Sequence, residues 1–243
     1  MDIIKVDAIA STNTFLRDLN REKHLIDPVC VLAAEQLAGK GQMGTVWQSN
    51  PGENLTCSVF MPITGLNLID QFYISISTSL AIFDMLNHLM VPKLSIKWPN
   101  DILSDRFKIC GVLIENIVKN GRLTGVIIGI GININQMSFE NLPQAGSLKQ
   151  ILGKSFNIEE VLYVLLNNIE KRFSELHGTD FNRLKEEYER CLFRKNKPST
   201  FIDVEGNSFV GIIQSITNQG KLQVLLEDEV VADYELKEIK LLY

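Results

Sequence analysis

The chain has 243 residues, 45% of them apolar, and a formal net charge of −5. This length predicts one large domain, alone or with a small second one, and a hydrophobic core of ordinary proportions. Acidic and basic residues are interspersed, which argues against the broad basic surface of a nucleic-acid-binding protein. A small anion site remains compatible with this charge, because a few cations and backbone N–H groups can form one.

Cysteine and histidine spacing argues against a structural metal site. The four cysteines are scattered through the chain: Cys30, Cys57, Cys110 and Cys191. None has C-x-x-C spacing, which favours reduced thiols over disulfides. The histidines stand apart as well: His24, His88 and His177. We therefore expect no zinc site.

The sequence contains no recognisable targeting or membrane segment. Residues 1–7, MDIIKVD, lack the basic segment and apolar run of a signal peptide. The most apolar stretch, residues 125–134, is too short to span a bilayer. We therefore expect a cytoplasmic protein.

The first part of the chain alternates between predicted strands and helices. Residues 2–6 have the pattern of a short strand. Ser11 can cap the following helix, since its hydroxyl accepts from a free N–H of the first turn. Residues 29–34 and 55–62 are predicted to be buried strands, and a long apolar helix is predicted over 71–90.

The middle of the chain contains a predicted hairpin. Residues 94–98 form a predicted strand that stops at a proline. Two further strands, over 107–118 and 123–135, are separated by Asn-Gly at 120–121, a strong type I′ turn signal. We expect these two strands to pair antiparallel.

The last part of the chain changes in texture. Two predicted helices, over 158–176 and 180–193, come first. Beyond them, short apolar runs alternate with glycine-containing turns, which is typical of a small β-barrel. We expect an α+β domain with a mixed or antiparallel sheet over residues 1–194, and a small all-β domain over residues 195–243.

Residues 39–44, GKGQMG, fit the pattern G-x-G-x-x-G. In a Rossmann enzyme this pattern opens a helix and is followed about 20 residues later by a carboxylate. Here a Pro-Gly turn and another strand follow, and Thr45 stands where a P-loop needs lysine. We interpret the segment as a loop between strands whose N–H groups and Lys40 could approach an anion. On this pattern alone, a plain hairpin loop is the simpler interpretation.

Later segments strengthen the case for a ligand site. Residues 97–101, KWPND, place a cation, an indole and two polar side chains at a strand end. Residues 108–115, KICGVLIE, begin with a lysine and contain Gly111 within an apolar strand. Such glycines often mark a ligand close to the backbone. Gly129 and Gly131 share one face of their strand because they are two residues apart. Ordinary strand edges and turns are the alternative.

Together these segments resemble the biotin–protein ligase family. The ordered motifs are Ser11-Thr12-Asn13, Glu35-Gln36, the 39–44 loop, Trp47, and residues 97–101, 108–115 and 129–135. The resemblance implies the catalytic fold similar to class II aminoacyl-tRNA synthetases, a mixed β-sheet with helices packed on one side, plus a small C-terminal SH3-like β-barrel. It also implies that ATP activates biotin as biotinyl-5′-AMP. Biotin then passes to one lysine of a biotin carboxyl carrier domain of a biotin-dependent carboxylase.

The resemblance implies roles for individual residues. Lys108 matches the family's essential lysine, and we expect it to stabilise the charge that develops between biotin's carboxylate and the α-phosphate. The residues at biotin-binding positions are Ser11, Thr12, Asn13, Gln36, Lys40, Gly41, Gln42, Lys108 and Gly111. Those at nucleotide-binding positions are Gly39, Lys40, Met43, Gly44, Trp47, Asn100, Asp101 and Asn133. Mg²⁺ is expected near Asn100 and Asp101, together with phosphate oxygens.

The glycine loop departs from the family's pattern. Where the family has Gly-Arg-Gly-Arg-Arg-Gly, this chain has Lys40, Gln42 and Met43 in place of the three arginines. Lysine lacks the bidentate fork of arginine, and the loop has one cation instead of three. We predict weaker retention of the adenylate intermediate than an arginine-rich loop would give.

The resemblance also sets expectations about partners. Some family members carry an N-terminal winged-helix domain that binds DNA, whereas here the first strand is predicted from residue 2. With the negative net charge, this predicts no nucleic-acid binding. We expect a monomer or a weak homodimer, since an edge strand near 116–120 could pair between subunits or remain solvated. The role of the C-terminal barrel stays open between acceptor docking and support of the nucleotide site.

Two alternatives remain. Lipoate–protein ligases and octanoyltransferases share the catalytic fold, but they lack both the G-x-G-x-x-G loop followed by tryptophan and the Lys-Trp-Pro-Asn-Asp segment. A binding module for biotin or nucleotide that has lost its chemistry would fit the depleted loop. The presence of Lys108 speaks against that module.

Overall fold

A computed structural model describes residues 1–176 and 180–243, so His177 lies outside the described residues. Within them, the larger sheet consists of β1 (Asp2–Ile9), β2 (Val29–Gln36), β3 (Leu55–Pro62), β4 (Leu94–Lys97), β5 (Asp101–Ser104), β6 (Phe107–Lys119) and β7 (Arg122–Ile132). Its strand order is β1-β2-β3-β7-β6-β5-β4. The β1–β2 pair is parallel and the other pairs are antiparallel. The sheet is therefore mixed, as the resemblance implies.

Helices cover both faces of this sheet. They are α1 (Thr12–Lys23), α2 (Phe72–His88), α3 (Leu148–Leu152), α4 (Ile158–Ser174) and α5 (Phe181–Arg190). α2, α4 and α5 share the main hydrophobic core with one face of the sheet, whereas α1 belongs to a smaller core on the other face. The expectation of helices on one side is therefore wrong for α1.

The face of the larger sheet that packs against α1 is apolar at one end only. Leu16 is fully buried against four sheet residues: Val29, Val31, Phe60 and Ile127. Burial of such a leucine contributes roughly 2 kcal/mol. Ser11 caps the helix by accepting from the Thr14 N–H at 3.5 Å, so the N-terminus of α1 is fixed where this apolar patch ends.

The β6–β7 hairpin forms as its turn signal predicts. Asn120 and Gly121 both have positive φ, 51° and 72°, which is what a type I′ turn requires.

Two short elements have no counterpart in the sequence predictions: β5 and α3. α3 is held by a capping box, in which Ser147 and Gln150 bond each other's backbone N–H.

The C-terminal residues form a separate antiparallel sheet. Its strands are β8 (Pro198–Asp203), β9 (Ser208–Ile216), β10 (Leu222–Leu226), β11 (Val231–Tyr234) and β12 (Ile239–Leu242), in the order β11-β10-β9-β8-β12. The short strands are as expected. In the part of the chain that the structure describes, the edge strands β11 and β12 do not pair, so the sheet is open rather than a closed barrel.

Two side-chain hydrogen bonds join the turn after β4 to distant parts of the chain. Trp98 Nε1 donates to the Gly220 carbonyl, in the turn between β9 and β10, at 2.9 Å. The Tyr188 hydroxyl of α5 donates to the Pro99 carbonyl at 2.6 Å. The predicted ligand segment 97–101 is thereby fixed from two sides.

No helix among residues 1–176 and 180–243 is long and apolar enough to cross a membrane.

Candidate active site

A cavity of about 560 Å³ opens on the sheet face that carries α1, beyond the helix N-terminus. Its floor contains three glycines, since Gly111 pairs with Gly131 and Gly129 lies two residues away on the same face. A Cβ on Gly131 would lie 2.2 Å from the Trp47 ring, and one on Gly129 would lie 2.4 Å from Asn13 Oδ1. Side chains above these positions therefore rest directly on the backbone, which is why only glycine fits there.

One end of the cavity is a network of neutral polar groups. Gln36 Oε1 accepts from the Thr12 N–H at 2.8 Å and from the Thr12 hydroxyl at 2.9 Å. The Ser58 hydroxyl donates to Asn13 Oδ1 and lies 2.6 Å from Thr12 Oγ1. Thr12, Asn13 and Ser58 are all nearly inaccessible to solvent. This end can bind a group with both donors and acceptors and no net charge.

The centre of the cavity is cationic because of an irregularity in β6. The pairing of β5 with β6 passes from Ile102–Cys110 to Leu103–Lys108, which leaves one residue of β6 unpaired. Such a bulge re-aims side chains, and here it brings Lys108 to the face of Gly111, three positions away. Lys108 Nζ lies 3.3 Å from the point where a Gly111 Cβ would stand.

Lys108 is paired with a carboxylate inside the cavity. Its Nζ lies 2.8 Å from Asp101 Oδ1, and both side chains are partly exposed. Lys97 also lines this region, where burial lowers the pKa of its ammonium group while Asp101 opposes that shift. The centre therefore carries a positive charge balanced in part by one carboxylate, an arrangement suited to an anion.

The glycine loop, residues 39–44, folds over this cavity. Gly41 N–H donates to the Thr45 carbonyl at 2.7 Å, and Trp47 N–H to the Gly39 carbonyl at 3.1 Å. Gln42 Nε2 donates to Asn100 Oδ1 at 3.0 Å. The loop joins β2 to β3 through a single 3₁₀ turn, so the Rossmann alternative is excluded.

Most of the predicted site residues meet at this one cavity. Those that line it are Ser11, Thr12, Asn13, Gln36, Lys40, Gly41, Gln42, Met43, Trp47, Asp101, Lys108, Gly111 and Asn133. Three others, Gly39, Gly44 and Asn100, are not among its lining residues. Asn100 is nearly inaccessible to solvent and donates to the Val112 carbonyl at 3.4 Å.

Sequence reasoning missed two parts of the wall. Phe139 and residues 141–145, after β7, line one side of the cavity with polar and apolar groups. Tyr243 lines it too, and burial together with nearby Asp101 raises the pKa of its hydroxyl to about 12. Neither has a local motif. Ser58, which supports the polar end, could have been noticed as a polar residue within the apolar run 55–62.

A metal ion would find few protein ligands here. Across the described ranges 1–176 and 180–243, no group of three or more His, Cys, Asp or Glu side chains could hold one. Asp101 is the carboxylate that lines the described cavity. One carboxylate is compatible with Mg²⁺ bound mainly through phosphate oxygens and water, but not with a site formed by protein alone.

The fold is similar to that of a solved biotin protein ligase. The biotin protein ligase from Aquifex aeolicus in complex with biotin and ATP superposes with a TM-score of 0.81, covering 99% of this chain and 98% of that chain at 23% identity. The chain belongs to the biotin/lipoate A/B protein ligase family, whose model matches residues 6–133.

Two curated relatives show the range of similarity. A bifunctional ligase/repressor BirA of Bacillus spizizenii is 31% identical over 189 residues, which cover 75% of this chain and 57% of that protein. The chain thus matches little more than half the length of this relative. A biotin–[acetyl-CoA-carboxylase] ligase of Mycobacterium tuberculosis is 27% identical over 227 residues, covering 90% of this chain and 82% of that protein.

Proposed function

We propose that the protein is an ATP-dependent biotin–protein ligase. In the first step, a carboxylate oxygen of biotin attacks the α-phosphorus of ATP, and the bond to the leaving pyrophosphate breaks. In the second, the amine of an acceptor lysine attacks the acyl carbon of biotinyl-5′-AMP, and AMP leaves. The observation that carries this proposal is Lys108, which lies at the centre of the cavity beside Gly111 and 2.8 Å from Asp101.

The position of Lys108 in the cavity supports a role in the first step. Bringing a carboxylate to a phosphate sets two anions about 4 Å apart, where they repel by roughly 4 kcal/mol at an effective dielectric of 20. An ammonium group between them opposes this repulsion and stabilises the transition state. Asp101 holds the ammonium group in place before the substrates bind, and Mg²⁺ with phosphate oxygens would then engage Asp101.

The polar end of the cavity suits the ureido ring of biotin. This ring has one carbonyl and two N–H groups, so it needs neutral donors and acceptors together. Thr12, Asn13 and Gln36 supply hydroxyl and amide groups there, fixed by the bonds described above. Trp47, Asp101 and Asn133 also line the cavity, and we assign them to the nucleotide. In the glycine loop, Lys40, Gly41 and Gln42 are assigned to biotin, and Lys40 and Met43 to the nucleotide.

The absence of arginines from the glycine loop leads to a prediction about how fast biotinyl-5′-AMP leaves the protein. We expect Gln42→Arg to slow the release of biotinyl-5′-AMP by about tenfold, because a charge-assisted hydrogen bond to a phosphate contributes about 1.5–3 kcal/mol. The measurement is the rate at which preformed intermediate leaves the protein in the absence of acceptor. Gln42→Met is the control, since it removes the bond to Asn100 without adding charge. An off-rate that does not slow in the arginine variant contradicts the assignment.

We further propose residues 1–194 as the catalytic domain and residues 195–243 as a small domain of the SH3-like barrel class. The five short antiparallel strands support this class. The acceptor would be a biotin carboxyl carrier domain of a biotin-dependent carboxylase. The protein would act as a monomer or weak homodimer without binding nucleic acid, and a sequence-specific footprint on DNA would contradict the last point.

A transfer assay separates this proposal from its alternatives. The protein is mixed with ATP, Mg²⁺ and a carrier domain, and either biotin or lipoate. We expect pyrophosphate release and acylation of the carrier with biotin and neither with lipoate. Preference for lipoate would favour a lipoate ligase, and ligand binding without pyrophosphate release would favour a module without chemistry.

A further inference from the structure

We infer that Glu115 is a positioning residue that sets the orientation of the Asn13 amide at the polar end of the cavity. This inference rests on the proposed function. Glu115 lies on β6, outside the cavity lining, and Asn13 lies at the start of α1. Asn13 Nδ2 donates to Glu115 Oε2 at 2.7 Å.

The carboxylate determines which end of the amide faces which neighbour. An ionised carboxylate can only accept hydrogen bonds, so it must face the nitrogen of Asn13 and not the oxygen. Asn13 Oδ1 is then directed at Ser58, whose hydroxyl donates to it. Asn13 is 3% exposed. A reversed amide would set its oxygen against the carboxylate, two acceptors without a donor, whereas the Ser58 hydroxyl could accept from the nitrogen in that orientation. The preference for one orientation therefore comes from Glu115.

Arg17 holds the carboxylate in turn. Arg17 follows Asn13 by four residues on α1, so both side chains project from one side of the helix. The Arg17 guanidinium forms an ion pair with Glu115 Oε1, which leaves Oε2 for Asn13. Gly129 closes the site from below, because any Cβ there would overlap Asn13 Oδ1. Glu115, Ser58 and Gly129 therefore fix the amide from three sides, and of these three Gly129 alone lines the cavity.

The orientation matters for recognition of the ureido ring. Glu115 accepts a hydrogen bond from the Asn13 nitrogen, and Ser58 donates one to Asn13 Oδ1. The remaining lone pair of Oδ1 can therefore accept from a ligand N–H. If the Asn13 amide could rotate freely, either its N–H group or its oxygen would face the ligand. The orientation with the N–H group facing the ligand N–H could form no hydrogen bond. The energetic effect acts on biotin affinity and leaves the nucleotide side unaffected.

A pair of double variants tests this idea at constant charge. Arg17→Met/Glu115→Gln keeps an acceptor for Asn13 but adds an N–H donor, so it holds the amide while allowing both orientations. Arg17→Met/Glu115→Met removes the acceptor. We expect the glutamine protein to bind biotin within about threefold of the unmodified protein. The methionine protein should bind about tenfold more weakly, since without an acceptor at position 115 the amide would have the binding orientation in only roughly a tenth of the molecules. ATP affinity should be equal in both. The measurement is calorimetric titration with biotin and with ATP.

Glu187→Gln is the matched control. Glu187 is as exposed as Glu115, 33% against 31%, and also pairs with an arginine, Arg172, but far from the cavity. The Glu187→Gln variant should have lower thermal stability than the unmodified protein and the same biotin affinity. The single variants Glu115→Gln and Glu115→Met repeat the comparison with Arg17 in place, should a double variant fail to fold. Equal biotin affinities of the glutamine and methionine proteins overturn the positioning role alone. An unmodified protein that binds no biotin overturns the proposed function as well.

Discussion

Lys108→Ala should lower the rate of biotinyl-5′-AMP formation by about 10²–10³-fold, the usual effect of removing one group that stabilises a developing charge. The effect should fall on the rate and much less on biotin affinity, because the ureido ring is held at the other end of the cavity. The measurement is pyrophosphate release in a single turnover with saturating biotin and ATP. The fold should remain, since the Lys108–Asp101 pair is partly exposed and such pairs contribute at most about 1 kcal/mol.

Lys93→Ala is the control for this variant. Lys93 also pairs with an aspartate, Asp105, at 3.4 Å, but outside the cavity and exposed to solvent. It should leave pyrophosphate release unchanged. An alanine variant at position 108 that still forms the adenylate at the unmodified rate would remove Lys108 from the mechanism.

Local sequence signals predict most of the elements that surround the site. The type I′ signal at 120–121 fixes the β6–β7 hairpin, and β3 has the predicted bounds, Leu55–Pro62. The two-residue spacing of Gly129 and Gly131 correctly predicts a shared face. These features depend on neighbours in sequence, which is why a pattern of residue types is sufficient to find them.

Features that depend on distant contacts were not predictable. A regular strand would place Lys108 and Gly111 on opposite faces, and only the bulge against β5 brings them together. The position of α1 on its own side of the sheet depends on where Phe60 and Ile127 become neighbours, which no local pattern encodes. Glu115 ends the motif over residues 108–115, but nothing in that motif indicates which residue the carboxylate would pair with. Its importance arises from the meeting of β6 with α1, more than 90 residues apart in sequence.

Gly111→Glu should reduce biotin affinity by more than about 100-fold. A Cβ at this position would lie 2.8 Å from the Trp47 ring and 3.2 Å from Lys108 Cε, so both side chains must move. Overpacking of this kind costs about 1–3 kcal/mol. The added carboxylate would also bring a second negative charge close to the carboxylate of biotin, and the two like charges repel.

Gly111→Gln separates these two causes, because it adds nearly the same volume without charge. We expect the glutamine variant to bind biotin about tenfold more weakly than the unmodified protein, and the glutamate variant to bind more weakly still. Gly125→Ala controls for overpacking of β7 away from the cavity, since its Cβ would meet Phe60 at 2.9 Å. It should lower stability but preserve biotin affinity. Calorimetric titration gives all three values, and unchanged binding in the glutamate variant would place the biotin site elsewhere. Because Gly111 and Lys108 lie on the same face of β6, biotin bound elsewhere would be out of reach of Lys108. The catalytic role proposed for Lys108 would then be wrong as well.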